Sequence, residues 1–191
     1  MKKIKLPSPK IHDVELVEFC SKNFKEKIMS TGMSNEAIIY AAYTLLQPDV
    51  LCHSVAEYPT QNKNLNMGYV EWLKNNYNCK VGYSGHDMNI LSYIYAVYLG
   101  CEYIERHVCL TREDRWISDN VFSLELCEYK DFVENIQQAQ LCYKMGDYES
   151  IFNNLKQLLG EEALQGNEKR KVYECEVKKM LELRGEHNGN I

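Results

Sequence analysis

The sequence has no hydrophobic run that approaches the ~18 residues that a helix needs to cross a membrane. It also lacks an excess of positive charge, because 27 acidic residues outnumber 22 lysines and arginines and give a formal net charge of −5. These features argue against a membrane protein and against a general binder of nucleic acids or anionic membranes. The N-terminal lysines have no apolar stretch behind them, so no secretory signal peptide is predicted.

The eight cysteines include no pair with the C-x-x-C spacing that is typical of zinc sites and redox motifs. Most lie in apolar segments, which predicts reduced thiols in the core of a cytoplasmic protein. With 191 residues, of which 45% are hydrophobic and 26% charged, the chain has an ordinary globular composition. A chain of this length can bury a sizeable core.

Five segments with strand character alternate with segments of helical pattern, which predicts an α/β fold with a parallel sheet covered by helices. The sheet could be open and doubly wound, or it could be part of a (β/α)8 barrel. Residues typical of binding sites follow nearly every strand, and this favours the barrel, because its βα loops converge on one mouth. An open sheet would gather such residues at a single switch point. The predicted strands are 4–6, 27–29, 49–53, 80–83 and 103–106.

The pattern changes after the last of these strands. Residues 111–120 are polar, and they predict a loop long enough to fold over the mouth of a barrel. A helix is then predicted to begin with Ser123 as its N-cap, followed by apolar residues at helical spacing.

We therefore assign residues 1–145 to a partial (β/α)8 TIM barrel of about five βα units. Residues 146–191 form a helical and charged C-terminal tail. Segments 148–160 and 169–184 of this tail are helix-like, and its many charges predict a solvated or partner-dependent arm.

Two histidines end neighbouring predicted strands at matched positions. His86 ends the segment Gly82-Tyr83-Ser84-Gly85-His86, and His107 ends Ile104-Glu105-Arg106-His107. A helix predicted over residues 88–100 connects them, so the two strands lie parallel and both imidazoles emerge at the same end. Imidazole is the commonest metal ligand, and such a pair at an open mouth suits a divalent catalytic metal. The alternative, that each histidine only caps its strand, does not explain the matched positions.

Taken in order, several segments resemble the N-acetylneuraminate (sialic acid) synthase family. The resemblance extends from near Ile4 to near Met145. It rests on five motifs in the order and spacing of the family, with a sixth segment that fits the family's polar loop. These segments are Lys5-x-x-Ser8, Ser30-Thr31-Gly32-Met33, His53 with Tyr58-Pro59, Gly82 to His86, Glu105-Arg106-His107, and Ser118-Asp119 followed by Ser123-Leu124.

The resemblance implies a condensation of phosphoenolpyruvate with N-acetylmannosamine or a related amino sugar. It implies a divalent ion, Mn²⁺ or Mg²⁺, held by His86 and His107, that makes the aldehyde of the open-chain sugar electrophilic. The enol carbon of phosphoenolpyruvate attacks this aldehyde, water adds to the resulting cation and phosphate leaves. By the same resemblance, Asp119 is the catalytic loop aspartate that reaches the sugar and the water on the metal.

Five further residues are implied to bind substrate. A phosphate group requires hydroxyl, ammonium and backbone N–H donors, and the resemblance assigns this role to Lys5, Ser8, Ser30 and Ser84. Tyr58 stands where the family has a tyrosine near the sugar. His53 has no partner that the sequence identifies, and we interpret it as structural.

The chain departs from the family at several positions. Ser8-Pro9-Lys10 stands where the family has Ser-x-Glu, so a cation replaces a carboxylate that binds sugar. Ala56 replaces a small polar residue, and Ser84-Gly85-His86 lacks the acidic residue found in part of the family. The sequence begins where the family's fourth strand lies. We therefore expect the first three strands and the small C-terminal domain to be absent.

Three functional hypotheses follow. The first is a synthase-type chain that is incomplete or inactive in isolation. The second is a non-catalytic or partner-completing subunit of a split synthase. The third is an unrelated metal-dependent lyase or aldolase. It is disfavoured because the motifs would then occur in the order of the family only by chance.

The expected partners are the two small-molecule substrates, with no nucleic acid and no membrane. We also expect a homo-oligomer or a partner chain that supplies the missing strands. The outer strands would otherwise have unpaired backbone groups and expose inward-facing apolar side chains, which favours association. The side chains expected to be exposed in this way are Ile4, Leu6, Tyr103 and Ile104.

Overall fold

The computed structural model describes residues 2–114, 116–145, 153, 156–160, 172 and 176–179. Most of its first half is an alternation of strands and helices, as the sequence predicts. The strands are β1 (Lys3–Leu6), β2 (Glu26–Ser30), β3 (Val50–His53), β4 (Lys80–Gly85) and β5 (Tyr103–Arg106), and the helices are α1 (Val14–Asn23), α2 (Glu36–Leu46), α3 (Tyr69–Asn76) and α4 (Ile90–Tyr98).

The five strands form one parallel sheet in the order β1-β2-β3-β4-β5. Strand order follows chain order without a reversal, so this sheet lacks the switch point of a doubly wound fold. The predicted parallel α/β architecture is confirmed, and its winding is that of a barrel. Asp13, Asn35 and Asn89 cap α1, α2 and α4 with side chains that accept backbone N–H groups of the first turn.

The sheet is strongly curled. Lys5 on β1 and Glu105 on β5 belong to the two outermost strands, yet their side chains form an ion pair. In a flat sheet these strands would be about 19 Å apart, since neighbouring strands are spaced by about 4.8 Å. The five strands therefore form a half-barrel, and the side chains of Lys5 and Glu105 lie on its concave face.

The main hydrophobic core lies between the convex face of the sheet and the helices. Strand residues such as Leu6 and Leu51 pack there, whereas the concave face carries only a small cluster around Cys52 and Tyr103. Ile4, Leu6 and Ile104 belong to the helix-facing core, so the expectation that they expose an inward apolar face is wrong. Side chains alternate along a strand, and turning Lys5 and Glu105 inward turns their neighbours toward the helices.

Gly82 permits close packing of three strands. A Cβ atom at this position would lie 2.7 Å from the carbonyl oxygen of Tyr103 and 2.9 Å from Sγ of Cys52. We expect Gly82→Ala to lower the free energy of unfolding by about 1–3 kcal/mol, because backbone must shift to admit the methyl group. Urea denaturation measures the change. Lys80→Ala, at the exposed start of β4, is the control and should cost less than about 0.5 kcal/mol; equal effects would contradict the prediction.

The segment after β5 folds over the carboxyl end of the sheet. Short strands β6 (Val108–Cys109) and β7 (Leu124–Glu125) pair in parallel, and helix α5 covers Leu126–Met145. The predicted helix is present, but Ser123 is not its N-cap. The Ser123 hydroxyl instead donates to the carbonyl of Asp119 at 2.6 Å, because Leu124 and Glu125 are extended in β7 and delay the helix start.

Parts of the predicted tail are described. Residues 156–159 are helical, and so are residues 176–179. Residue 153 is helical as well, whereas Gly160 and Val172 are described and are not helical, and all other residues of the predicted helices 148–160 and 169–184 lie outside the described residues. Glu176 has 0% of its surface exposed, so the prediction of a solvated arm is wrong at this residue.

The cysteine prediction is correct only in part. All seven cysteines in the described segments are free thiols, with Cys20 and Cys52 buried. Cys127 and Cys142 are exposed and thus are not core residues, while Cys175 lies outside the described residues. In the same described segments, none of the helices combines the length and apolar character that crossing a membrane requires.

Candidate functional site

All eight residues proposed from the sequence line one cavity of ≈ 350 Å³. The cavity lies where the carboxyl ends of the parallel strands meet, which is the end at which barrel enzymes build their sites. Its size is within the usual range for small-molecule sites. The eight residues are Lys5, Ser8, Ser30, Tyr58, Ser84, His86, His107 and Asp119.

An ionic cluster spans the cavity. Ser84 and Glu105 are opposite each other in the β4–β5 register, and the Ser84 hydroxyl donates to Oε1 of Glu105 at 3.1 Å. The Lys5 ammonium pairs with the same oxygen. Glu105 therefore fixes both the cation and the hydroxyl from two different strands.

The two histidines are neighbours, with ring centroids 5.3 Å apart. Nδ1 of His86 lies 2.7 Å from the carbonyl oxygen of Val55. A carbonyl only accepts, so Nδ1 carries the proton and Nε2 keeps its lone pair. Burial lowers the pKa of His86 to about 4 and also lowers the pKa of His107, so both rings are neutral near pH 7. The backbone bond of His86 thus leaves its other nitrogen available to a ligand.

Asp119 stands beside His107 at the rim. Its Oδ2 is 3.9 Å from Nδ1 of His107, which is too far for a hydrogen bond, and 48% of its side chain is exposed. Across the described segments, no group of three or more His, Cys, Asp or Glu side chains is arranged to hold a metal. His86 and His107 therefore offer two nitrogen donors, a set that leaves further positions to water and substrate.

Ser30 carries an unsatisfied polar group. Its side chain is 1% exposed, and its hydroxyl has no hydrogen-bond partner among the described residues. A buried hydroxyl without a partner costs about 1–3 kcal/mol. Since Ser30 lines the cavity, a bound ligand could supply the missing partner.

Aromatic rings form one wall. The Tyr58 ring lies 4.4 Å from His86 and 5.4 Å from Phe122, and Phe122 lies 5.0 Å from His107. Burial, with the negative charges of Asp119 and Glu176, raises the pKa of Tyr58 to about 12. Its hydroxyl therefore remains protonated and can donate a hydrogen bond.

Arg106 holds the loops of this wall in place. Its guanidinium donates to the carbonyl of Asp87, to the Tyr93 hydroxyl at 2.7 Å and to the carbonyl of Phe122 at 2.8 Å. The buried carboxylate of Asp87 in turn accepts the hydroxyls of Tyr83 and Ser92. This network connects β4, α4 and the segment that carries Phe122.

The model of the NeuB family matches residues 1–148. The chain belongs to the NeuB family. This match covers all of the residues that line the cavity except Lys179, so the residues proposed from the sequence lie in the part of the chain that the family model describes.

Curated relatives match over less than half of their own length. An N,N'-diacetyllegionaminic acid synthase of Campylobacter jejuni is 34% identical over 156 residues, which cover 77% of this chain and 45% of that protein. An N-acetylneuraminate-9-phosphate synthase of Drosophila melanogaster is 31% identical over 160 residues, or 78% and 42% of the two chains. The spore coat polysaccharide biosynthesis protein spsE of Bacillus subtilis superposes with a TM-score of 0.79 at 20% identity. The superposition covers 93% of this chain and 48% of that one, and it supports the fold alone.

Sequence reasoning did not propose Glu105 and Lys179, which line the cavity of this NeuB-family chain, or Phe122, which packs against its two histidines. Glu105 could have been found, because it lies in the predicted strand two positions before His107, and residues two apart in extended chain share a face. Phe122 and Lys179 gave no such signal, since one follows a polar loop and the other lies in the charged tail. His53, interpreted as structural, is buried and bonds through Nε2 to the carbonyl of Leu65 at 2.8 Å.

Proposed function

We propose that this chain provides the metal-binding and phosphate-binding side of a sialic acid synthase-type site. The reaction is the condensation of phosphoenolpyruvate with N-acetylmannosamine or a related amino sugar. The observation that carries the proposal is the cavity itself, which gathers an ammonium group, serine hydroxyls and two neutral imidazoles from different strands. The two relatives described above, which are named as synthases of acids of this class, support the same proposal.

The anionic substrate is bound by donors from β1, β2 and β4 in this proposal. Lys5 supplies charge, and Glu105 keeps its ammonium directed into the cavity. The hydroxyl of Ser30 gains a partner, which it lacks among the described residues, and Ser8 and Ser84 add further donors. Charge-assisted hydrogen bonds of this type are stronger than neutral ones.

A divalent ion would be held by Nε2 of His86 and by the imidazole of His107. When bound, it would supply Lewis acidity toward the aldehyde of the open-chain sugar. We expect Mn²⁺ to bind more tightly than Mg²⁺, because Mg²⁺ strongly prefers oxygen ligands. The carbonyl of Val55 fixes the orientation and the tautomer of His86, as outer hydrogen bonds do at metal sites.

The sugar would lie toward the rim. Tyr58, with its protonated hydroxyl, donates a hydrogen bond to the sugar, and the Asp119 carboxylate accepts one from a sugar hydroxyl or from water. The aromatic wall of Tyr58 and Phe122 limits the access of water to the histidine pair. In this role Asp119 acts from a partly exposed position that substrate can reach.

A second candidate is a partner-completing subunit without catalysis of its own. Lys10 and Ala56 stand where the resemblance expects a carboxylate and a polar residue. The half-barrel also has β1 and β5 as outer strands, which could pair with strands of another chain or of a second copy. Membership of the NeuB family disfavours the third hypothesis, an unrelated lyase or aldolase.

We expect these 191 residues alone to release negligible phosphate from phosphoenolpyruvate and N-acetylmannosamine with Mn²⁺. A half-barrel leaves the substrates partly unpositioned, and catalysis by positioning tolerates such losses poorly. Adding a separate chain that contains three βα units of a NeuB-family barrel should restore turnover and shift the sedimentation coefficient.

The control for the restored activity is His12→Ala, which lies outside the cavity and should behave as wild type, whereas His86→Ala should stay inactive. Robust turnover by the isolated chain, as a stable monomer, would reject the need for a partner. Complex formation without turnover would favour the non-catalytic subunit.

A further inference from the structure

The Glu176 side chain is buried at the edge of the cavity. Its Oε1 accepts the backbone N–H of Ala56 at 2.8 Å and that of Met33 at 3.1 Å. Burying a carboxylate costs several kcal/mol unless hydrogen bonds compensate it, so charged residues are rarely placed in this way without a partner. The two N–H groups compensate this charge and attach the C-terminal segment to the barrel.

The attachment point belongs to the loops that build the site. Met33 follows β2, whose last residue Ser30 lines the cavity, and Ala56 lies between the cavity residues Ser54 and Tyr58. Met33 adopts a φ of 57°, which few residues other than glycine take. Residues 176–179 are thus attached to the rim of the cavity where the backbone of Met33 adopts this uncommon conformation.

Lys179 lies one helical turn after Glu176, so both side chains project from the same side of the segment. It lines the cavity, and its Nζ is 5.7 Å from the centroid of the Tyr58 ring. The anchor at Glu176 therefore positions a cation at the wall that Tyr58 forms.

Lys179 also balances the charges of the cavity lining. The described charged residues of the cavity are Lys5 and Lys179 against Glu105 and Asp119. Without Lys179, carboxylates would outnumber ammonium groups, and Lys5 is already paired with Glu105. Without a bound divalent ion such a lining would repel phosphoenolpyruvate, which carries both a phosphate and a carboxylate, and with the ion Lys179 adds a second unit of attraction at the wall of Tyr58.

We propose that residues 176–179 take part in binding the anionic substrate. Lys179 contacts an anionic group of the substrate, and Glu176 is a positioning residue that holds Lys179 at the cavity through the N–H groups of Met33 and Ala56. This inference rests on the proposed function for the identity of the anion, but the presence of an anion site next to Lys179 can be tested separately.

The test compares anion binding by the full chain, by three single variants and by one double variant, using calorimetry with phosphoenolpyruvate and, separately, with inorganic phosphate. Lys179→Gln should weaken binding about tenfold or more, because it removes a charge-assisted contact. It should also reduce the salt dependence of the dissociation constant. Lys178→Gln, its exposed neighbour, is the matched control and should bind as wild type.

Glu176→Gln separates positioning from direct contact. It should weaken binding, and the double variant Glu176→Gln with Lys179→Gln should bind no more weakly than Lys179→Gln, because both changes remove the same contact. Tighter binding by Glu176→Gln would overturn the inference, since it would mean that this carboxylate competes with the substrate. Equal losses in Lys178→Gln and Lys179→Gln would also overturn it.

The two anions distinguish the failure of this inference from that of the proposed function. Binding of inorganic phosphate but not phosphoenolpyruvate, with a loss in Lys179→Gln, would support the Lys179 site and reject the proposed substrate. Binding of phosphoenolpyruvate that is unchanged in Lys179→Gln would reject only the inference. A chain that binds neither anion would reject both.

Discussion

Replacing either His86 or His107 with alanine is expected to abolish the uptake of one Mn²⁺ per chain. The two imidazoles are 5.3 Å apart, and no third side chain of the described residues completes a metal-binding group with them. Loss of one donor leaves a single imidazole. Changes in the outer hydrogen bonds of a metal site already cost 10–100-fold in affinity, so we expect removal of a ligand to cost more than ~100-fold. The electron paramagnetic resonance signal of free Mn²⁺ measures binding directly.

His12→Ala is the matched control, because it removes a histidine that does not line the cavity. It should retain the stoichiometry and affinity of the wild-type chain. Thermal unfolding of each variant should accompany the titration, so that loss of metal is not confused with loss of fold. If His86→Ala and His107→Ala both bind Mn²⁺ as tightly as wild type, the histidine pair is not a metal site.

The placement of the histidine pair could be predicted because it depends on short-range regularities. His86 and His107 directly follow the consecutive strands β4 and β5, and parallel strands joined by one helix present their carboxyl ends together. The same rule brought Ser30 and Ser84 to the cavity. The roles of Ser30 and Ser84 came from the family resemblance, but the position of each of these residues relative to one strand could be predicted without knowledge of how distant segments meet.

The contacts that complete the cavity could not be predicted in this way. The Lys5–Glu105 ion pair joins residues at opposite edges of the sheet, and it depends on how strongly the sheet curls. Glu176 lies in a segment whose local pattern is that of a solvated helix, and only its contacts with Met33 and Ala56 explain its burial. The two residues of β7 were too few to show a strand period, so the start of α5 was predicted too early.

Arg106→Leu is expected to lower the free energy of unfolding by about 2–4 kcal/mol, because it leaves several acceptors of a charged donor without a partner. The guanidinium connects three segments through the carbonyls of Asp87 and Phe122 and the hydroxyl of Tyr93, and it lies 5.1 Å from the Tyr93 ring. Leucine keeps part of the apolar contact but donates no hydrogen bond. Urea denaturation of the two proteins measures the difference.

Arg112→Leu is the matched control for this change. Arg112 pairs with Glu128, with 32% and 42% of the two side chains accessible to solvent, and its Nε donates to one carbonyl, that of Ser123, at 2.8 Å. We expect its replacement to cost about 1 kcal/mol or less. If Arg106→Leu is no more destabilising than Arg112→Leu, the Arg106 network does not hold the loops together. If Arg106→Leu is the more destabilising variant, its affinity for Mn²⁺ should still fall less than that of His86→Ala. Arg106 supports the segment of Phe122 and Asp119 but provides no metal ligand. A support residue and a ligand are thereby distinguished by two measurements, one of stability and one of metal binding.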